Sequence, residues 1–518
     1  MSTNIQQHLT AISRYELPQL FRDAIDVARA LGCDYLWIDS LCIIQDSQED
    51  WKDQSVLMSE VYSNAYLNIA ASALPNSSGT LFQDRVCYFG RKVYSPDKRS
   101  TLPIDTHTEW VSNDKGVQCP VAVRYSMDRA HRHLCGEAED KHGIEEPLLD
   151  RAWVFQERML SRRAIYISSS EVLWECRSRY FCECGGINNP IPSDFGRFIW
   201  EFGHLGPLWI YNVPYHSPSS KTGSFADFCS SKRGSSKEAL AFWRTMIQEY
   251  TSLILTRESD RDVALSGIRQ SFSTGRDFTY YAGMWIQDLP QSLLWTIDNG
   301  ASPIEAEEGM DAPSWSWLWR KDKDGLEILS NRVAWDHYDL EGFEKDSRVS
   351  FHVPDDAYRR FHNQPLIPPT LGHFPLHLTA PFLHGSLEPP TWDNMALPSM
   401  SFGPVTDRIK GYGEKLMMIQ VWVDDLDYRG NWDMPGRRAY CVLLGHAPRP
   451  MRNNFHKTHE CMLLLEEIPG PEHERRYVKT GLVNFTYSPL PEQNGEEDGF
   501  IQRTGLFEDA RVKEFIIV

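Results

Sequence analysis

Seven side chains in this sequence have the types and spacing to surround a small ligand. Asp39, Cys42, Gln45, Asp50, Trp51 and Gln54 follow one another closely, and Glu157 stands in a later helical stretch. Asp39, Cys42, Gln45 and Asp50 could form a polar pocket at a sheet's carboxyl edge that binds a small ligand. The competing reading is structural: Asp39 and Asp50 cap helices and turns while Cys42 is packed, since carboxylates at strand ends serve both purposes. Glu157 lies four residues after Trp153 and shares its helix face, so it either reaches the pocket or pairs with an arginine such as Arg151 or Arg162. The ion pair is the commoner fate of a helical charge. Spacing alone assigns no catalytic residue.

The elements that must position these side chains read as an α/β fold. Over 17–31, Leu17, Leu20, Phe21, Ala24, Ala28 and Leu31 recur at three- and four-residue intervals, with Pro18 near the start and Gly32 at the end. That is an amphipathic helix with both termini marked. Residues 35–38 read as an interior strand delivering Asp39, Ser40, Cys42, Gln45 and Asp46 to its carboxyl end, where open α/β sheets place their sites. A helix over 47–64 puts Trp51, Met58, Tyr62 and Ala65 on one face, and 66–71 follows as a strand. A further helix over 148–160 and strands at 164–168 and 172–176 close the pattern, so residues 1–184 predict a mainly parallel sheet flanked by helices.

Residues 185–236 are rich in Gly, Pro and Ser and read as a connecting segment. Residues 237–320 form a helical and β segment with a helix marked by Leu240, Trp243, Ile247, Tyr250 and Ile254. Within it Trp315, Trp317 and Trp319 alternate like one face of a strand packed into a core. Residues 321–518 carry strand-like runs at 376–380, 416–423, 440–444, 462–466 and 514–518, predicting a mostly β C-terminal domain.

The first of these regions resembles the heterokaryon-incompatibility (HET) domain of filamentous fungi. The resemblance is carried by Trp37-Ile38-Asp39, Leu41-Cys42-Ile43, Gln45, Asp50-Trp51, Met58, Val61-Tyr62 and Asn64-Ala65. A second block, LLDRAWVFQERMLSRRAIYISSSEVLWEC at 148–176, and a third at 249–317 ending in APSWSW, extend it. The resemblance implies a fold distantly related to the TIR domain and a role in non-self recognition and regulated cell death. It also implies a protein partner or self-association, with a nucleotide as the ligand class of the TIR relatives. Some TIR relatives cleave NAD with a helical glutamate; the position where many HET domains carry a Glu holds Gln54 here, and an amide is neither a general base nor a charged stabiliser. Two alternatives to a signalling module are therefore an NAD-cleaving enzyme and a truncated, inactive paralogue. The family's opening strand with S-Y-C-W-G has no counterpart before the first helix, which predicts an unpaired sheet edge.

Composition narrows the rest. The net charge of −18, from 53 basic and 71 acidic residues, opposes non-specific binding to nucleic acid or anionic membranes. No apolar run is long enough for a membrane span, and the first ten residues lack a signal peptide's apolar region. Eleven cysteines at irregular spacing form no disulfide framework, so a reducing, cytoplasmic location is expected. His131, His133 and Cys135 alternate, and Cys182 and Cys184 neighbour Cys176. Neither set has the paired spacing of a structural zinc site, so no metal and no cofactor are assigned.

Overall fold

The computed structural model of the protein describes residues 4–83, most of 86–123, 146–183 apart from 169–170 and 177–179, and 235–297 apart from 258–259. Beyond these it describes 313–318, 333–335, 340–354, 375–388, 399–401, 417–423, 437–449, 457–468, 475–487 and 510–518, with a few single positions. The chain divides into two compact units. One comprises 1–233 with 253–255 and 263–274, the other 234–252 with 256–262 and 275–518.

In the first unit the helix Gln19–Ala30 begins directly after Pro18. It ends before Gly32, whose φ of +71° is the left-handed conformation that glycine adopts without penalty. Asp23 on its buried face accepts hydrogen bonds from the Thr80 hydroxyl (2.6 Å) and the Leu81 N–H (2.9 Å), fastening the helix to a distant loop. The helix Gln48–Asn64 starts at Ser47, whose hydroxyl accepts from the Asp50 N–H. Trp51, Ser55, Met58 and Tyr62 then fall on one face by the 3.6-residue period.

The small sheet of this unit runs Asn68–Ala70, Arg163–Ile167, Val172–Cys176, Tyr180–Cys182 in spatial order. Its first pair is parallel and the other two are antiparallel. The expected mainly parallel sheet is thus corrected to a mixed one. The cause is local, because Ser168 and Glu171 bond reciprocally across a tight turn and fold 163–176 into a hairpin. Ala70, Val154, Ala164, Tyr166 and Leu173 form the core between sheet and helix.

A second correction concerns residues 35–38. They form no strand, and Tyr35 is 93% exposed. An apolar run becomes a buried strand only when another strand takes its backbone groups and a layer covers its side chains. Among the described residues neither partner is present, and the free edge of Asn68–Ala70 has no neighbour.

The second unit opens with the helix Ser236–Tyr250, whose start is a reciprocal capping box between Ser235 and Glu238. It buries Trp243, Met246, Ile247 and Tyr250; Ile254, expected on the same face, lies beyond the helix and is exposed. The C-terminal strands form a barrel-like sheet. Leu376–Glu388, Arg437–Arg449, Lys457–Ile468 and Arg476–Tyr487 pair antiparallel in succession. Met417–Val423 and Ser399–Ser401 lead back from the fourth strand to the first at one end. Val512–Ile517 does so at the other, antiparallel to the first strand and parallel to the fourth.

Successive residues from Cys441 to Leu444 are all buried, so both faces of that strand are covered. Trp315 and Trp317 are each 1% exposed, as a core reading requires, but they occupy a turn rather than a strand. Trp315 stacks on Tyr281 (5.5 Å) and the Trp317 indole donates to the Gly283 carbonyl. Trp319, His131, His133, Cys135 and Cys184 lie outside the described residues.

Candidate functional site

Two helices of the first unit, Gln48–Asn64 and Ala152–Leu160, lie side by side and bring the candidate site together. At one end Trp51 meets Trp153 edge to face, with ring centres 6.2 Å apart. Three turns along the first helix, Tyr62 hydrogen-bonds Glu157 of the second, and its ring packs at 5.6 Å against Trp37. Tyr62 is thus the aromatic side chain on the carboxyl, backed by Trp37, while Trp51 and Trp153 pair with each other.

Glu157 is half-buried, and its pKa is raised to about 7. Burial is the largest cause, the nearby negative charge of Asp39 adds to it, and the Tyr62 hydrogen bond and the Arg151 charge oppose it. Burial, followed by Glu157 itself, pushes the Tyr62 phenol well above its ordinary value. A carboxyl that changes protonation near neutrality, with a phenol held on it, can deliver or accept a proton at physiological pH.

The other sequence-derived candidates take different positions. Asp39 is exposed at the start of the short helix Asp39–Cys42; its Oδ1 accepts from the Ser40 N–H (2.6 Å), while its charge reaches both Tyr62 and Glu157. Cys42 is exposed at the end of that helix. Gln45 is exposed, and its amide donates to the carbonyls of Ile43 and Asp39. Asp50 holds the loop, its Oδ2 accepting from the Ile44 N–H at 2.6 Å. Gln54 is half-buried, one turn along from Trp51. The structure thus brings the charges of Asp39 and Arg151 to Glu157, sets Trp51 against Trp153, and gives Asp50 and Gln45 local backbone duties. Sequence reasoning set Tyr62 on the Trp51 face of its helix and Trp37 in the run 35–38, but assigned neither to the site. The available signal was the eleven-residue spacing of Trp51 and Tyr62, three helical turns on one face.

The run Gln156-Glu157-Arg158 sends three neighbouring side chains in three directions, as 100° per residue dictates. Glu157 meets Tyr62. Gln156, fully buried, accepts from the Gly267 N–H (2.8 Å) at the start of the helix Ser266–Ser273. Arg158 Nε donates to Glu175 Oε2 (3.0 Å), which also accepts from the Tyr166 hydroxyl (2.6 Å). Glu157 is therefore held by contacts its neighbours make, an arrangement that fixes a functional group's geometry.

Gly267 is the tightest point. A Cβ there would lie 2.3 Å from the Ser59 Cβ and 2.9 Å from Gln156 Oε1. Gly267→Ala is expected to destabilise the first unit by about 1–3 kcal/mol through overpacking. Thermal unfolding beside wild type measures this, and an unchanged midpoint would contradict the close three-helix approach.

No group of three or more His, Cys, Asp or Glu among the described residues is arranged to hold a metal ion. Among the described residues no helix is long and apolar enough to cross a membrane. Residues 1–157 match the family model described as heterokaryon incompatibility protein (HET). No curated protein and no solved structure matches the chain.

Proposed function

Because residues 1–157 carry a HET domain, we propose that the protein acts in non-self recognition leading to regulated cell death, with this domain as the signalling module. The match over residues 1–157 is the observation that carries the reading. In this reading the domain works in the cytoplasm and engages a protein partner or a second copy. Exposed apolar side chains at Tyr35, Leu36 and Tyr66 support a surface role of that kind. Inducible expression in a filamentous fungal host tests it: viability is expected to fall on induction. Asp39→Asn, which keeps an acceptor for the Ser40 N–H, is expected to leave folding intact and change the death response. Undiminished viability with the wild-type chain at high expression would reject the proposal.

One observation favours a second reading, in which the site performs chemistry on a nucleotide such as NAD. Glu157 offers the carboxyl that Gln54 does not, with a pKa of about 7 and Asp39 nearby. Purified protein incubated with NAD, beside Glu157→Gln, tests this reading. NAD left untouched removes the enzymatic reading and leaves the signalling one standing.

A further inference from the structure

The final strand of the barrel, Val512–Ile517, joins its first and fourth strands at one end of the sheet. It is anchored at both of its own ends. Phe382 N–H donates to the Arg511 carbonyl (3.0 Å), and Val518 N–H donates to the Tyr477 carbonyl (3.0 Å). Between these anchors the strand brings Lys513, Phe515 and Ile517 to one side by the two-residue period. Phe515 and Ile517 are fully buried, and apolar neighbours account for them. Lys513, in the same row, requires another account.

Its ammonium lies inside a box of four rings. Nζ is 4.7 Å from the ring centre of Tyr440, 5.0 Å from Tyr477, 5.2 Å from Phe515 and 5.3 Å from Phe382. The rings also contact one another, with Tyr477 and Phe515 at 5.0 Å and Tyr440 and Tyr477 at 5.3 Å, both edge to face. Lys513 Nζ donates to the Tyr477 hydroxyl at 2.6 Å, and the Tyr440 hydroxyl donates to Glu467 at 2.9 Å. Each ring is within the distance at which its negative face attracts a cation. The rings come from three other positions in the barrel and from the strand itself, so the charge ties the strand to Leu376–Glu388, Arg437–Arg449 and Arg476–Tyr487 together.

We propose that Lys513 is a charge-dependent latch. Its ammonium, held in the box of Phe382, Tyr440, Tyr477 and Phe515, fastens the last strand across the barrel seam, and loss of that one charge frees the strand while the rest of the barrel stays folded. The charge is what distinguishes a latch from ordinary packing. An apolar side chain of similar length would fill the box without the cost of desolvating an ammonium, so packing alone predicts that Lys513→Met is neutral or stabilising. The latch predicts the opposite sign.

Hydrogen exchange on the full chain decides between them. In Lys513→Met the amides of 512–517 are expected to exchange at least tenfold faster than in wild type, while those of 461–465 keep their protection. Lys513→Arg, which retains the charge, is expected to stay within threefold of wild type. Tyr440→Leu, which keeps the lysine and removes the ring nearest its ammonium, is expected to reproduce the faster exchange. Exchange in Lys513→Met that is unchanged or slower would overturn the latch. So would a general loss of protection extending to 461–465, because release would then not be confined to the strand.

Discussion

Glu157→Gln is expected to stabilise the first unit at alkaline pH while leaving its stability near pH 4.5 unchanged. The Glu157 carboxyl titrates at about 7 in the folded chain, against an ordinary glutamate value of 4.5. Between these values the folded state holds a proton that the unfolded state has released, so stability falls as pH rises through the window. Above it, the folded protein carries a half-buried carboxylate at a cost on the order of 3 kcal/mol. Glutamine retains an acceptor for the Tyr62 hydroxyl and has no charge to desolvate. The variant's advantage should therefore be near zero at pH 4.5 and approach that figure by pH 8. Hydrogen exchange of the Gln48–Asn64 and Ala152–Leu160 amides, corrected for the intrinsic pH dependence, gives the two values. An equal difference at both pH values would show that Glu157 titrates like an ordinary surface carboxyl.

Glu175→Ala is expected to have the largest effect on folding of any single change in the first unit. It removes the one carboxylate oxygen that receives both Arg158 and the Tyr166 hydroxyl, in a site where Glu175 is 1% exposed. Breaking a buried ion pair from one side costs about 3–5 kcal/mol, comparable to the whole stability of a marginal domain. Burial, followed by the Glu175 charge, already pushes the Tyr166 phenol well above its ordinary value. Glu175→Gln should fall between wild type and alanine, because it keeps an acceptor and loses the charge. The double variant Arg158→Met with Glu175→Leu should recover much of the loss, since an apolar pair of similar volume carries no desolvation cost. Denaturant unfolding of the three variants supplies the comparison. A double variant no better than Glu175→Ala would mean that the site needs the ion pair for something other than compensating its own burial. The two predictions are linked through the helix that carries both side chains: Arg158 fixes the helix on the hairpin, and Glu157 faces Tyr62 as a consequence.

Some of this was written in the sequence. Helix positions followed from the 3.6-residue spacing of apolar side chains and from end signals that act locally, such as Pro18, Gly32 and Ser47. The strand Val172–Cys176 has the bounds its alternation gives. Five strands of the C-terminal sheet showed in their apolar runs; those at 440–444 and 462–466 are buried at successive positions, as a strand covered on both faces requires, while 376–380 and 514–517 alternate. The motif around Trp37 and Asp50 carried the resemblance to the HET family, and the family model matches residues 1–157.

Tertiary structure decided the rest, wherever the outcome depended on what a segment meets. Residues 35–38 have a strand's composition, yet pairing requires a partner, and without one among the described residues they form no strand and leave Tyr35 and Leu36 exposed. The strand Arg476–Tyr487 was missed because Lys479 interrupts its apolar pattern. Lys479 is buried, with its ammonium on the Trp295 carbonyl at 3.1 Å and over the Trp295 ring, which lie far away in sequence. Glu157 is the clearest case. Its helix and its face were legible, but its raised pKa comes from burial between two helices and from the charge of Asp39, and both are set by distances that spacing along a chain does not contain.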